Sequence, residues 1–255
     1  MTLLLTELSP LGITMAADSA VTITNTVTGL SHVQNNAVRK LQTIPYLNAG
    51  ISCWGMGTIN GISTDQWLAN FIAGNSAINN LGGFAASLEN ELNRLIPPNP
   101  NPQHSRLGFH LAGFEIYQGS PTPSFYHIHE GVSTTLQQRG ITINPNKFNA
   151  NHDVPPSIAV QLLAQGRGWI TRNGDYQLYA NIFQSLENLF QQLLPLGIRI
   201  PNSQNLADRA EYLIFQIRTI SEIYRLSNLI PGIGGDIYFV TISQVGLYSQ
   251  GIKHY

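Results

Sequence analysis

The chain has 255 residues, room for one large domain with a sizeable core or for two small ones. Its formal net charge is −1, which excludes both a basic surface for nucleic acid and an acidic solvating tail. The single cysteine, Cys53, excludes an internal disulfide and makes a reducing compartment the default.

In chain order, residues 2–7 (TLLLTE) and 13–17 (ITMAA) read as two strands joined by the turn SPLG. Residues 20–30 (AVTITNTVTGL) are rich in β-branched residues and lead through Asn35–Asn36 to a strand-like run that ends at Pro45. Residues 46–54 (YLNAGISCW) are strand-like again. A helical block follows, with Ser63, Thr64 and Asp65 as cap candidates and Trp67, Leu68, Phe71 and Ile72 at helical spacing. It continues through Phe84, Leu88, Leu92 and Leu95 until PPNPNP (97–102) stops it, since proline cannot extend a helix.

Residues 106–117 (RLGFHLAGFEIY) are apolar on both alternating faces, as a central buried strand is, and 124–131 (SFYHIHEG) makes its hairpin partner. Residues 157–169 combine an apolar strand-like half with a turn. Two helices then carry Leu178, Ile182, Leu186, Leu189 and Leu193, and Leu206, Ala210, Leu213, Ile217, Ile220 and Tyr224. The chain closes on a strand pair, GGDIYFVTIS and GLYSQGI. Strands alternating in runs with helices predict an α+β architecture, two antiparallel sheets stacked between helical layers, over a single domain spanning 1–255.

Charged residues make up only 11% of the chain, against roughly 25% in ordinary domains. The first apolar run, Leu3–Leu5, is short for a secretory signal and has no basic residue before it. No stretch reaches the roughly 18–20 apolar residues of a membrane span. The expectation is a soluble, cytoplasmic protein.

The residues with chemistry to offer are few. Thr2 follows Met1, and a threonine side chain is small enough for removal of the initiator methionine. A free Thr2 then carries its own base, an α-amine with a reference pKa of roughly 7.7–8.0, beside its hydroxyl. Many chains begin Met-Thr with no such role. Asp18 is the only acid between Glu7 and Asp65, and Lys40 is the only lysine before Lys147. A buried ammonium near Thr2 favours the alkoxide and lowers the α-amine pKa, with Asp18 to balance it. On the residues alone, a structural Asp–Lys pair or two unrelated surface charges serve as well.

GITMAADSAVT resembles the second-strand signature of proteasome β-type subunits and their bacterial relatives, the N-terminal-nucleophile (Ntn) hydrolases. The Thr2-to-Asp18 spacing equals the family's spacing from nucleophile to aspartate. RKLQTI resembles the segment of the catalytic lysine, which falls on Lys40 after a connection six residues longer. AGISCWGMGT resembles the glycine-containing strand end whose amide holds the oxyanion, a role that falls on Gly55 or, with a shift of one, on Met56.

The resemblance covers essentially the whole chain and implies a four-layer αββα sandwich. It implies a threonine-type peptidase or amidohydrolase, with Thr2, Asp18, Lys40 and Gly55 as site residues and no cofactor or metal. It also implies a homo-oligomer, ring or spiral, acting on peptide or unfolded protein and open to an ATP-dependent unfoldase. Two departures stand out. The family's Gly-Ser-Gly stretch is read as Gly166-Arg167-Gly168, with arginine for serine. Its Asp-x-x-Ser-Gly-Gly is read as Ile230-Pro231-Gly232-Ile233-Gly234-Gly235, which keeps only the glycines.

Three other signals have plainer readings. His127 and His129 lie on one side of a strand but lack a third ligand at a recognisable spacing. Cys53 in an apolar strand reads as packing. Gly232-x-Gly234-Gly235 precedes a strand rather than opening a helix, unlike a phosphate loop.

Overall fold

Leu3, Leu4 and Leu5 are all buried in the computed structural model, and consecutive strand residues bury together only where both faces of the sheet are covered. The structure describes residues 2–24, 31–35, 37–101, 105–131, 137–174, 176–227 and 232–254. The first strand, β1 (Leu3–Ser9), pairs antiparallel with β2 (Gly12–Asp18) on one side and with β12 (Trp169–Gly174) on the other. β13 (Ile237–Ser243) and β14 (Gly246–Lys253) complete a sheet of order β12-β1-β2-β13-β14.

The second sheet has the order β11-β10-β9-β6-β5. Its strands are β5 (Leu41–Ile44), β6 (Ala49–Gly55), β9 (Leu107–Tyr117), β10 (Ser120–His129) and β11 (Asn149–Val154). Two short hairpins stand apart, β3 (Val21–Thr24) with β4 (Ser31–Asn35), and β7 (Thr58–Ile59) with β8 (Ile62–Ser63).

The alternation of side chains separates three cores. Leu4, Leu8, Ile13, Met15 and Ala17 face the other sheet and meet Leu41, Ala112 and Phe125 there. Leu3, Leu5 and Ala16 face outward, onto α4 (Tyr176–Leu193) and α5 (Leu206–Leu226), where Phe183, Leu213, Ile217 and Ile220 cover them. On the second sheet Leu107, Phe109 and Leu111 face α1 (Thr64–Gly74) and α2 (Leu81–Leu95) through Leu68, Phe84 and Leu88. The layers therefore run helix, sheet, sheet, helix, the αββα sandwich that the resemblance implies. Full burial of each large apolar side chain contributes roughly 1.5–3 kcal/mol.

Helix ends follow local chemistry. Asn80 caps α2 by accepting from the Gly83 N–H at 2.7 Å. Asn205 and Asp208 form a reciprocal capping box at α5, with bonds of 3.0 and 3.2 Å. Ser63 sits at the N-cap of α1 without a side-chain cap bond. The ambiguous stretch 157–169 resolves into α3 (Pro156–Ala164), a turn, and then β12. Proline at the first helical position suits the helix start, and an apolar run containing Ile158 and Val160 hides the helical period. Among the described residues no helix is long and apolar enough to cross a membrane.

Candidate active site

Asp18 is the last residue of β2, and its carboxylate collects three donors from distant parts of the chain. Oδ1 accepts from the Leu3 N–H at 2.9 Å and pairs with Lys40 Nζ at 3.0 Å, and Oδ2 accepts from the Gly234 N–H at 3.2 Å. The two charged side chains are 0% and 5% exposed, so the pair is held out of water. Lys40 also donates to the Ala20 carbonyl. The Lys40 main chain is fixed separately, since its carbonyl accepts from Cys53 N–H of β6 at 2.9 Å. Asp18 thus joins the start of β1, the end of β2, the approach to β5 and the loop before β13.

A pocket of about 610 Å³ opens beside this pair. Thr2 and Lys40 line it together with Cys53, Gly55, Met56 and Asp65. Thr2 is itself buried. Its carbonyl lies directly against Gly174, whose φ of +125° is one that L side chains rarely adopt and whose Cα leaves no room for a Cβ. Met1 lies outside the described residues.

The β6–β9 register separates the two oxyanion candidates. The Met56 N–H donates to the Arg106 carbonyl at 2.9 Å and is spent in the ladder. Amides alternate along a strand, and Cys53 N–H already points to the β5 side. Gly55 N–H therefore turns to that same side, past the end of β5 and toward the pocket. Gly55 adopts φ +99°, and a Cβ there collides with the Arg106 carbonyl, so only glycine fits.

The structure thus gathers Thr2, Lys40 and Gly55 around one pocket, with Asp18 bonded to Lys40 behind it. It separates Gly166–Gly168 from them. Leu3 pairs with Gly174 and Leu8 with Trp169, so β12 carries that stretch to the far end of β1, where Gly168 lies against the Leu8 carbonyl. The described residues of β12 nearest Thr2 are Asn173 and Gly174. Of the second departure, Ile230 and Pro231 lie outside the described residues, whereas Gly234 supplies an amide to Asp18.

Cys53 lines the pocket, but burial pushes its thiol up to about 12, against a weaker opposing effect from Lys40. A thiol held protonated is a poor nucleophile.

His127 and His129 gain a companion in His110 between the sheets, His110 and His129 buried and His127 nearly so. The His127 and His129 rings stack 4.0 Å apart, and the His110 and His127 rings meet edge to face at 5.1 Å. Five of their six ring nitrogens are hydrogen-bonded, and the sixth, His127 Nδ1, stands 3.8 Å from Asp153 Oδ2. Asn173 Nδ2 donates to His127 Nε2 at 2.9 Å and to His110 Nε2 at 3.1 Å, and His110 Nδ1–H then donates to Thr6 Oγ1 at 3.0 Å. His129 Nδ1–H donates to the Glu130 carbonyl at 2.9 Å, and its Nε2 accepts from Asn151 at 3.0 Å. Among the described residues no group of His, Cys, Asp or Glu is disposed to hold a metal.

Asp65 is a pocket residue that the sequence offered only as a helix cap. Nothing local marked it otherwise, because an acid in the first turn of a helix is favourable wherever it points.

No model of a known family and no curated protein matches the sequence. Among solved structures, the chain is similar to a Gly-1 mutant of Anbu from Hyphomicrobium sp. strain MC1. The identity is 12% and the TM-score 0.54, over 100% of this chain and 88% of that one. Anbu is a bacterial proteasome-like protein related to the Ntn hydrolases. At that identity the likeness speaks for the fold, and together with the layers and sheet orders above it gives the chain a proteasome-like Ntn sandwich.

Proposed function

We propose that the chain is a threonine-type amidohydrolase or peptidase, one domain of 1–255 that becomes competent when Met1 is removed. The observation that carries this reading is the buried Asp18–Lys40 pair beside a pocket lined also by Thr2 and Gly55, on a proteasome-like sandwich. Thr2 Oγ attacks the amide carbonyl of the substrate as its proton passes to the Thr2 α-amine. The Lys40 ammonium, held by Asp18, favours the alkoxide, and Gly55 N–H donates to the oxyanion. The α-amine then gives its proton to the leaving nitrogen as the C–N bond breaks, leaving an ester on Thr2. Water attacks that ester with the same amine as base, releases the acid and restores Thr2. Peptide or unfolded protein is the substrate class. Self-assembly into a ring or spiral, with an ATP-dependent unfoldase as partner, belongs to the same reading.

A second reading, a non-enzymatic assembly subunit that keeps Met1, draws on the residues beside Thr2. There the described part of β12 offers Asn173 and Gly174 where the family has a supporting serine. A small-amide acylase is the third.

Intact mass of the purified protein separates the first two. A Thr2 terminus with turnover of fluorogenic peptides, abolished in Thr2→Ala, is the expected result. Retained Met1 with no turnover assigns the scaffold. Turnover of small amides alone assigns the acylase. The molar mass in solution, by light scattering, is expected to exceed that of the 28.0 kDa chain severalfold.

A further inference from the structure

The pocket beside Thr2 carries charge in two places, Lys40 and Asp65, and only one of them is compensated. Lys40 is neutralised by Asp18 at 3.0 Å and bonded again to the Ala20 carbonyl. The Asp65 carboxylate has no hydrogen bond or ion pair among the described residues. The contact made by this residue is through its backbone, whose carbonyl accepts from Gln42 Nε2 at 2.7 Å. That bond ties α1 to β5 and fixes the half-buried Asp65 on the pocket wall.

The helix start offsets it only in part and supplies no counter-charge, and Thr64 itself is engaged elsewhere: its N–H donates to the Gly57 carbonyl at 3.0 Å, and its Oγ1 to the Met56 carbonyl at 2.6 Å. The other walls of the same pocket include Cys53, whose thiol burial pushes up to about 12, and Met56. One pocket therefore holds a candidate nucleophile, uncharged walls and a carboxylate without a counter-charge.

A long side chain with an apolar stem and a cationic tip matches that combination of surfaces, since lysine and arginine lay their methylenes on apolar walls and keep the charge at the end. An acidic tip meets repulsion there, and a purely apolar one strands the carboxylate. The acyl half of a substrate is the half tied to Thr2 Oγ through the ester stage, so its side chain is the one held within reach of these walls.

We infer that Asp65 selects a cationic side chain, lysine or arginine, on the residue that contributes the attacked carbonyl. This rests on the proposed Thr2 chemistry for its use in catalysis, but the pocket binds such a side chain whether or not Thr2 reacts.

The test uses the full chain in two arms. In the first, coumarin amides of peptides ending in lysine, norleucine or glutamate are compared by kcat/KM, in wild type and Asp65→Asn. The expected result is a lysine-to-norleucine ratio of about ten or more, as one partly screened charge pair gives, falling toward one in Asp65→Asn and shrinking with added salt. Turnover without that preference, or a preference that survives Asp65→Asn, overturns the inference while leaving the hydrolase reading intact.

In the second arm, Nα-acetyl-lysine N-methylamide and its norleucine counterpart are titrated into the Thr2→Ala protein by NMR, with and without Asp65→Asn. Circular dichroism checks that each variant is folded. Tighter binding of the lysine compound that is lost with Asp65→Asn supports the pocket assignment even if no amide is hydrolysed, in which case the Thr2 reading alone fails. Equal binding of the two compounds overturns the assignment.

Discussion

Removing the Asp18 carboxylate leaves an ammonium buried without a counter-charge, which is far more costly than deleting both partners. Asp18→Asn is expected to lower stability by about 3–5 kcal/mol, read from urea unfolding curves, and Asp18→Asn with Lys40→Met is expected to recover part of that. A residual loss is expected in the double variant, because Leu3 N–H and Gly234 N–H depend on the same carboxylate. Cys53 gives a second residue-scale prediction. Its thiol is pushed up to about 12 by burial, so iodoacetamide at pH 7.5 is expected to leave the native protein unlabelled and to label it fully in urea, by intact mass. Asp18 and Lys40 stood out in the sequence because charges are so sparse in it, but only the family resemblance joined them to each other and to Thr2. Gly55 could not be separated from Met56 there, since the choice depends on which amide the Arg106 carbonyl takes, a matter of pairing between residues fifty apart. Asp65 was hidden by an ordinary helix-start position.

At the scale of elements, the histidines of β9 and β10 make the sandwich sensitive to acid. Burial holds His110 down to about 3 and His127 well below its ordinary value of 6.5, with His129 lowered also. The folded state therefore keeps them neutral where the unfolded chain takes up protons. Their contribution is complete above about pH 6.5 and is lost as pH falls below it, for His110 down to about pH 3, at about 1.4 kcal/mol per pH unit while a group stays neutral in the fold. Asp153, whose carboxylate stands 3.8 Å from His127 and is raised by burial to about 6, acts in the opposite sense between pH 6 and 3.8. Three histidines against one aspartate predict a net fall in stability between pH 6.5 and 4, measured by denaturant midpoints at each pH, with a shallower slope in His127→Asn. The sequence showed His127 and His129 as a same-face pair. It could not show His110 or Asn173, because they arrive from β9 and β12 and only sheet stacking brings them together. β11 went unseen for a related reason: Asn149–Val154 is polar and makes a strand only because the β10 edge pairs with it.

At the scale of the molecule, the order of strand runs and helix runs was enough to name the layers, because each run buries one kind of face and the alternatives leave apolar faces bare. Sheet order was not legible, since β12 joins β1 across most of the chain and nothing in either strand states its partner. The same long-range closure has a consequence for synthesis. Asp18 draws its donors from positions 3, 40 and 234, so a chain still emerging from the ribosome has an aspartate with one amide missing until residue 234 has been made. An unfinished or clipped copy lacks the Gly234 amide on the Asp18 carboxylate and the β13 strand that flanks β2. The charged pair therefore gains its last hydrogen bond at the stage of synthesis that adds β13 to the sheet.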